Sequence, residues 1–207
     1  MRARKGKKRV SDETTSSDTQ VAASADLSDN GALVIAGIGA SAGGIQALTQ
    51  FFRALPSDSG VGFVVIQHLA PERESILAQI LARDTSMPVI EVKDAPRVEP
   101  NHVYVIPPNR GMTIAAGHLR LLPRSQSRLA HRPIDSFFRS LATERHDHAI
   151  AVILSGTGSD GTLGLQEVKA EGGVTFAQDI TAEHDGMPKS AIATGSVDFI
   201  LPPEGMA

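Results

Sequence analysis

A chain of 207 residues, 41% of them hydrophobic, can bury one sizeable core, yet no apolar run approaches the roughly 20 residues that a bilayer-spanning helix needs. It has no cysteine, which excludes disulfides and thiolate metal sites and accords with a cytoplasmic setting, and no hydrophobic signal segment follows the basic N-terminus. Net charge is −3 but unevenly spread: six of the 20 Lys and Arg fall in residues 1–9, leaving 14 to face 23 Asp and Glu, so the body is mildly acidic and no nucleic-acid-binding face is expected.

Residues 1–30 join that basic cluster to a Ser/Thr/Asp/Ala tract almost without large apolar side chains. Such a segment buries too little surface to offset its ordering entropy, so it is expected to be a disordered tail ahead of a folded domain over 31–207. The domain opens with an apolar run, Leu33 to Ile38, which predicts a buried strand. A glycine-rich turn follows, then a helix carrying Ile45, Leu48, Phe51, Phe52 and Leu55 on one face. Further strands are expected over Val61 to His68, Pro88 to Val92 and Val103 to Ile106, with a helix over roughly 74–83. Met112 to Leu122, broken at Gly117, predicts a β-hairpin. After a polar loop over 123–133 come a helix from Ile134 to about Arg145, a strand from Ala149 to Leu154 and a helix over about 162–171. Val174 to Ala177, a helix near 187–193 and Val197 to Ile200 complete the pattern. Strand–helix alternation of this kind predicts an α/β domain: a doubly wound, mostly parallel sheet with helices on both faces.

The opening stretch admits three chemistries. Gly37-Ile-Gly39-Ala-Ser-Ala42 fits a dinucleotide fingerprint, Gly39-Ala-Ser41-Ala-Gly43 fits a nucleophile elbow, and a helix N-terminus after glycines can cradle an anion. The bland alternative is that Ser41 only caps its helix. A P-loop is excluded, because no Gly-Lys-Ser/Thr follows. An NAD site wants an acidic residue at the end of the second strand, where this chain has Gln67-His68, and Asp58 lies before that strand.

Adjacent parallel strands place Ser41 and His68 at neighbouring C-terminal ends, and the turn after the strand at 149–154 brings Asp160 to the same rim. A serine hydroxyl needs a base within reach, and the base an acid to orient it, so Ser41, His68 and Asp160 form a candidate triad. His184 is the rival base, since Ser41–Asp160–His184 reproduces α/β-hydrolase order. Separately, His68 reads as a rim histidine and Asp160 as a helix cap. His146 and His148 precede their strand and belong to the opposite edge, where an H-x-H metal pair is a weak alternative. His102 also precedes a strand, His118 sits in the hairpin and His131 in the polar loop.

As a set, Gly37-Ile-Gly-Ala-Ser-Ala-Gly-Gly44, Val65-Ile-Gln-His68, Tyr104-Val-Ile-Pro-Pro108, His131-Arg-Pro-Ile-Asp135, Ile153-Leu-Ser-Gly-Thr-Gly-Ser-Asp-Gly161 and Gly186-Met-Pro188 resemble the catalytic domain of CheB-type chemotaxis receptor methylesterases. The resemblance spans about residues 32–203. It implies hydrolysis of glutamate γ-methyl esters on the cytoplasmic domain of chemoreceptors, with glutamine deamidation in some members, and no metal or cofactor. The family's serine, histidine and aspartate fall on Ser41, His68 and Asp160. Two positions depart from the common pattern: Ala42 stands where many members have Thr, and Thr157 where many have Met. Main-chain N–H groups at Ala42 and Thr157 are the candidate oxyanion donors, and backbone donors survive side-chain changes. The Ala-Ser-Ala-Gly-Gly variant resembles proteins that join this domain to a methyltransferase and sensory modules. The 30 polar residues ahead of the domain do not supply the receiver domain of regulated members. The chain is therefore expected to be a standalone esterase or part of a multidomain signalling protein. A non-catalytic docking module with the same fold is the alternative.

Overall fold

Glycine lets the first strand pack closely against a helix. In the computed structural model, which describes residues 33–68, 76–123 and 132–207, β1 runs Ile35–Ala40, so Gly39, expected in the turn after a strand ending at Ile38, lies inside the strand with Gly37. A Cβ on Gly39 would stand 2.5 Å from Ile134 Cγ2, and one on Gly37 would stand 3.0 Å from the rings of Phe137 and Phe138. These glycines let a helix pack down on the central strand rather than a phosphate approach a loop. The expected tail over 1–30 and His131 lie outside the described residues.

The elements follow in order: α1 Gly44–Ala54, β2 Gly62–Gln67, α2 Leu77–Leu81, β3 Val89–Glu91, β4 Val103–Val105, β5 Arg110–Ala115 and β6 His118–Pro123. Then come α3 Pro133–Arg145, β7 Ala149–Ile153, α4 Thr162–Ala170, β8 Val174–Gln178, α5 Gly186–Ile192 and β9 Phe199–Leu201. Seven strands form one parallel sheet in the order β3-β4-β2-β1-β7-β8-β9, and β5-β6 form the expected antiparallel hairpin beside it. Its turn is Ala116-Gly117, both at positive φ (52° and 75°), the primed-turn backbone that matches strand twist. The helix expected over 74–83 is short, Leu77–Leu81, and its expected first residues lie outside the described set.

Because strands alternate their side chains, the sheet builds a core on each face. Ile38, Val65, Val105 and Val152 pack with Leu48, Phe51 and Phe52 of α1 and Leu77 and Leu81 of α2. Ile35, Val64, Ile66 and Ile153 pack with Ile134, Phe137, Phe138 and Leu141 of α3, Leu165 and Val168 of α4, and Met112 and Ile114 of the hairpin. Each such fully buried side chain contributes about 1.5–3 kcal/mol of transfer free energy, which fixes the three layers. One expectation fails. Ile45 is 42% exposed, not part of the α1 core face. It sits in the first helical turn, at the side of the stripe that Gly44, Ala47, Leu48, Phe51 and Phe52 bury.

Parallel pairing aligns Ala40 of β1 with Gln67 of β2, and Gly39 with Ile153 of β7. The order reverses beside β1, since the chain first winds to β2 on one side and later to β7 on the other. That switch point is where open α/β sheets keep their crevice.

Candidate active site

The C-terminal ends of β1, β2 and β7 lie side by side. Ser41 follows β1 directly. Its carbonyl accepts the Gly44 N–H at 2.9 Å, and its own N–H donates to the Ser155 carbonyl at 2.9 Å, so the turn is pinned at both ends. The helix cap expected of Ser41 in the bland reading is absent: the residue that caps α1 is Gly43, in the left-handed region at φ 70°, without a side-chain cap. Ser41 Oγ instead faces His68 Nδ1 at 3.3 Å. On the far side of the ring, His68 Nε2 lies 2.8 Å from Asp160 Oδ2. The imidazole is 29% exposed while the Asp160 side chain is buried at 8%.

Asp160 accepts three further hydrogen bonds, from the N–H groups of Ile134 (3.1 Å), Asp135 (3.0 Å) and Gly161 (2.9 Å). Burial pushes its carboxyl up, but the bond from His68 and the Asp135 and Ile134 N–H bonds outweigh that and hold it below the usual carboxylate range. It is an anion built to stay one. With Nε2–H directed at that anion, Nδ1 presents its lone pair to Ser41, the tautomer that base catalysis requires.

His184 stands near the rim but contributes backbone. Its N–H donates to Ser155 Oγ (2.9 Å) and its carbonyl accepts from Gly156 N–H (2.8 Å), while its ring is exposed beside Glu183 at 3.6 Å. Ser155, buried at 1%, also donates its hydroxyl to the Ala42 carbonyl at 2.8 Å, tying the turns at 41–43, 155–156 and 184 together. At the opposite edge His146 pairs with Glu171 and His148 with Asp147, not with each other. His102 and His118 engage backbone carbonyls. Among the described residues no group of three His, Cys, Asp or Glu gathers as a metal site would need.

The planar peptide gives the remaining geometry. The Ser41 carbonyl points at Gly44, so the N–H of Ala42 projects the other way, out of the turn. The Gly156 carbonyl accepts the Met187 N–H at 2.8 Å, which directs the Thr157 N–H away from α5, and Gly156 packs against Ser41 closely enough that a Cβ there would stand 2.9 Å from the serine Cβ.

A family model described as CheB methylesterase matches residues 36–207. The chain belongs to the CheB methylesterase family. It is 38% identical, over 80% of its length, to protein-glutamate methylesterase/protein-glutamine glutaminase 1 of Geobacter metallireducens, of which it covers 47%. It is 50% identical, over 60% of its length, to an uncharacterized 104.1 kDa protein of Rhodobacter capsulatus, of which it covers 13%. The chain thus spans less than half of either relative. The crystal structure of the Thermotoga maritima CheB methylesterase catalytic domain matches with a TM-score of 0.76 at 33% identity, covering 84% of this chain and 95% of that one. The CheB fold accounts for the parallel seven-stranded sheet and its two helical layers.

Within this CheB domain, sequence reasoning assigned no part to Arg132, Asp135 or Ser155. The signal for the first two was present in Arg132-Pro-Ile-Asp135, with Pro at the first helical position and an acid in the first turn, which marks the start of α3. That start is aimed at Asp160, 25 residues on from Asp135, which only the folded packing reveals.

Proposed function

We propose that this domain is a serine esterase that hydrolyses glutamate γ-methyl esters on the cytoplasmic domain of chemoreceptors. The observation that carries the reading is the continuous contact chain Ser41 Oγ–His68–Asp160, at 3.3 and 2.8 Å. Ser41 Oγ attacks the ester carbonyl as its proton passes to His68 Nδ1. Asp160 holds the ring through Nε2–H and stabilises the imidazolium. The oxyanion is received by the N–H groups of Ala42 and Thr157, near the positive end of α1. His68 then protonates the departing methoxide, and water, activated by the same nitrogen, releases the glutamate and restores Ser41. Asp160 never gains the proton.

No metal or cofactor enters these steps. The relatives' names add glutamine deamidation, which the same groups perform with ammonia leaving in place of methanol. On this reading the domain works in the cytoplasm, with methyltransferase or sensory modules as its partners. Methanol release from methylated chemoreceptor tests the reading: wild type should turn over and Ser41→Ala should not. A second reading, a docking module that keeps the fold, draws on the 13% share of a long relative. It requires receptor binding without methanol release.

A further inference from the structure

We propose that Arg132 and Asp135 are positioning residues that set Asp160, and through it His68, by a reciprocal clamp between two helix starts. The proposal rests on the Ser41–His68–Asp160 reading.

Neither α3 nor α4 caps its own N-terminus with a side chain. Each is capped by the other's acid. Asp160, in the turn before α4, accepts the first two N–H groups of α3, those of Ile134 and Asp135, since Pro133 has none. Asp135, on the first turn of α3, accepts the Gly164 N–H of α4 at 2.9 Å. The exchange needs the two helices in close contact, and Gly164 permits it: a Cβ there would lie 2.5 Å from Phe138 Cβ and 2.8 Å from the Asp135 carbonyl oxygen. Orphan N–H groups at a helix start favour an anion, so each acid is held where the other helix begins.

Two buried carboxylates so close repel one another. Arg132 answers both. Its Nε lies 2.8 Å from Asp135 Oδ2 and 3.9 Å from Asp160 Oδ1, and its Nη2 donates to the Ser159 carbonyl (2.6 Å) and hydroxyl (3.1 Å). The contact with Oδ2 is an ion pair without the alignment of a hydrogen bond, so charge matters there more than donor direction. The Ser159 contacts hold the residue just before Asp160. Arg132 thereby fixes the turn that carries the acid, while Asp135 fixes the helix that donates to it. Their side chains engage each other, Asp160, Ser159 and Gly164. The Arg-Pro-Ile-Asp motif thus gains a reason to accompany Gly-Ser-Asp-Gly.

Arg132→Gln and Asp135→Asn test this, the latter nearly isosteric, with Arg132→Lys restoring charge without the fork. Esterase rates should fall in kcat by about 10–100-fold with KM within about threefold, Arg132→Lys lying between Arg132→Gln and wild type. Acting through Asp160, the Arg132→Gln loss should vanish in an Asp160→Asn background. The second readout is the histidine spectrum of ¹⁵N-labelled protein, with His68 assigned through His68→Gln. Wild type should hold His68 as the Nε2–H tautomer, and Arg132→Gln and Asp135→Asn should turn that signal into a mixture. Folded variants with the wild-type His68 signal, or losses that multiply in the double variant, overturn the proposal. If wild type releases no methanol, the esterase reading fails, and the histidine spectrum alone decides the clamp.

Discussion

Histidine and carboxylate meet at 2.8 Å on both edges of this sheet. At the C-terminal rim His68 meets Asp160; at the N-terminal edge His146 meets Glu171. Distance alone does not separate them. Their surroundings do: the Asp160 side chain is 8% exposed and receives three backbone N–H groups, whereas Glu171 is 49% and His146 61% exposed. In water such a pair is screened and contributes about 0–1 kcal/mol. At the rim the His68 bond and the N–H groups of a helix start together hold the acid's charge, so the pair has a direction: the acid stays anionic and the ring turns its other nitrogen to Ser41. Pre-arranged donors make the difference.

The contrast is broken most severely at the rim. Ser41→Ala, His68→Gln and Asp160→Asn should each lower methyl-ester turnover by on the order of 10⁴-fold, with wild-type circular dichroism. An active Ser41→Ala protein would remove the nucleophile from the scheme.

The fixed charge of Asp160 should also show in stability. Its folded carboxyl titrates below its unfolded value, so its contribution is present above about pH 4 and fades as pH falls through the folded value. Melting curves should therefore show a gap between wild type and Asp160→Asn at pH 7 that closes in acid. Asp135 runs the other way, since burial, with the charge of Asp160 adding to it, pushes its carboxyl up, favouring the protonated form in the fold. A gap that persisted unchanged at pH 2 would remove the linkage from Asp160.

Ser155→Ala probes the frame beneath the rim. It strips a buried partner from the His184 N–H and the Ala42 carbonyl, at a cost of about 1–3 kcal/mol and a loss of several degrees in Tm. Unaltered melting would show that the three turns hold together without it. His184→Gln should cost less than about tenfold in rate, because its backbone braces the rim while its ring points elsewhere. A dead His184→Gln beside an active His68→Gln would restore the hydrolase-order triad. The smallest effect belongs to the exposed edge: His146→Gln should leave turnover within error of wild type, and a clear loss would mean that edge is no mere solvated pair.

Much of this was legible in the chain. Alternating apolar strands and helices gave the parallel sheet, and strand adjacency alone placed His68 beside Ser41, because a parallel register ties Ala40 to Gln67. What failed to show was of one kind. Gly39 read as a turn residue and Gly37 as part of a possible fingerprint, since the need for them comes from Ile134, Phe137 and Phe138, far along the chain. Ile45 read as core because periodicity sets the direction of an apolar stripe but not its width. Asp135 entered only as a member of a motif and was given no part, because its partner, Gly164, belongs to another helix. Local rules find elements; close approach between elements distant in sequence leaves only a glycine or an acid as its trace.

The central place of β1 has a consequence for how the chain is made. Ile35 pairs with Gly62 on one side but waits for Ala149 on the other, on the order of ten seconds of synthesis at about 5–20 residues per second. Through that interval an apolar strand offers a free edge to any neighbouring nascent chain. Its composition tempers the hazard: Ile-Ala-Gly-Ile-Gly-Ala is two-thirds glycine and alanine, residues poor in strand propensity, so it pairs weakly until β7 and α3 enclose it. Ribosome-bound chains stopped before Ala149 should accordingly be cut readily by protease within β1 yet remain soluble, and chains extended past Ala170 should resist. The glycines that admit α3 to the finished sheet would then also keep the unfinished one from sticking.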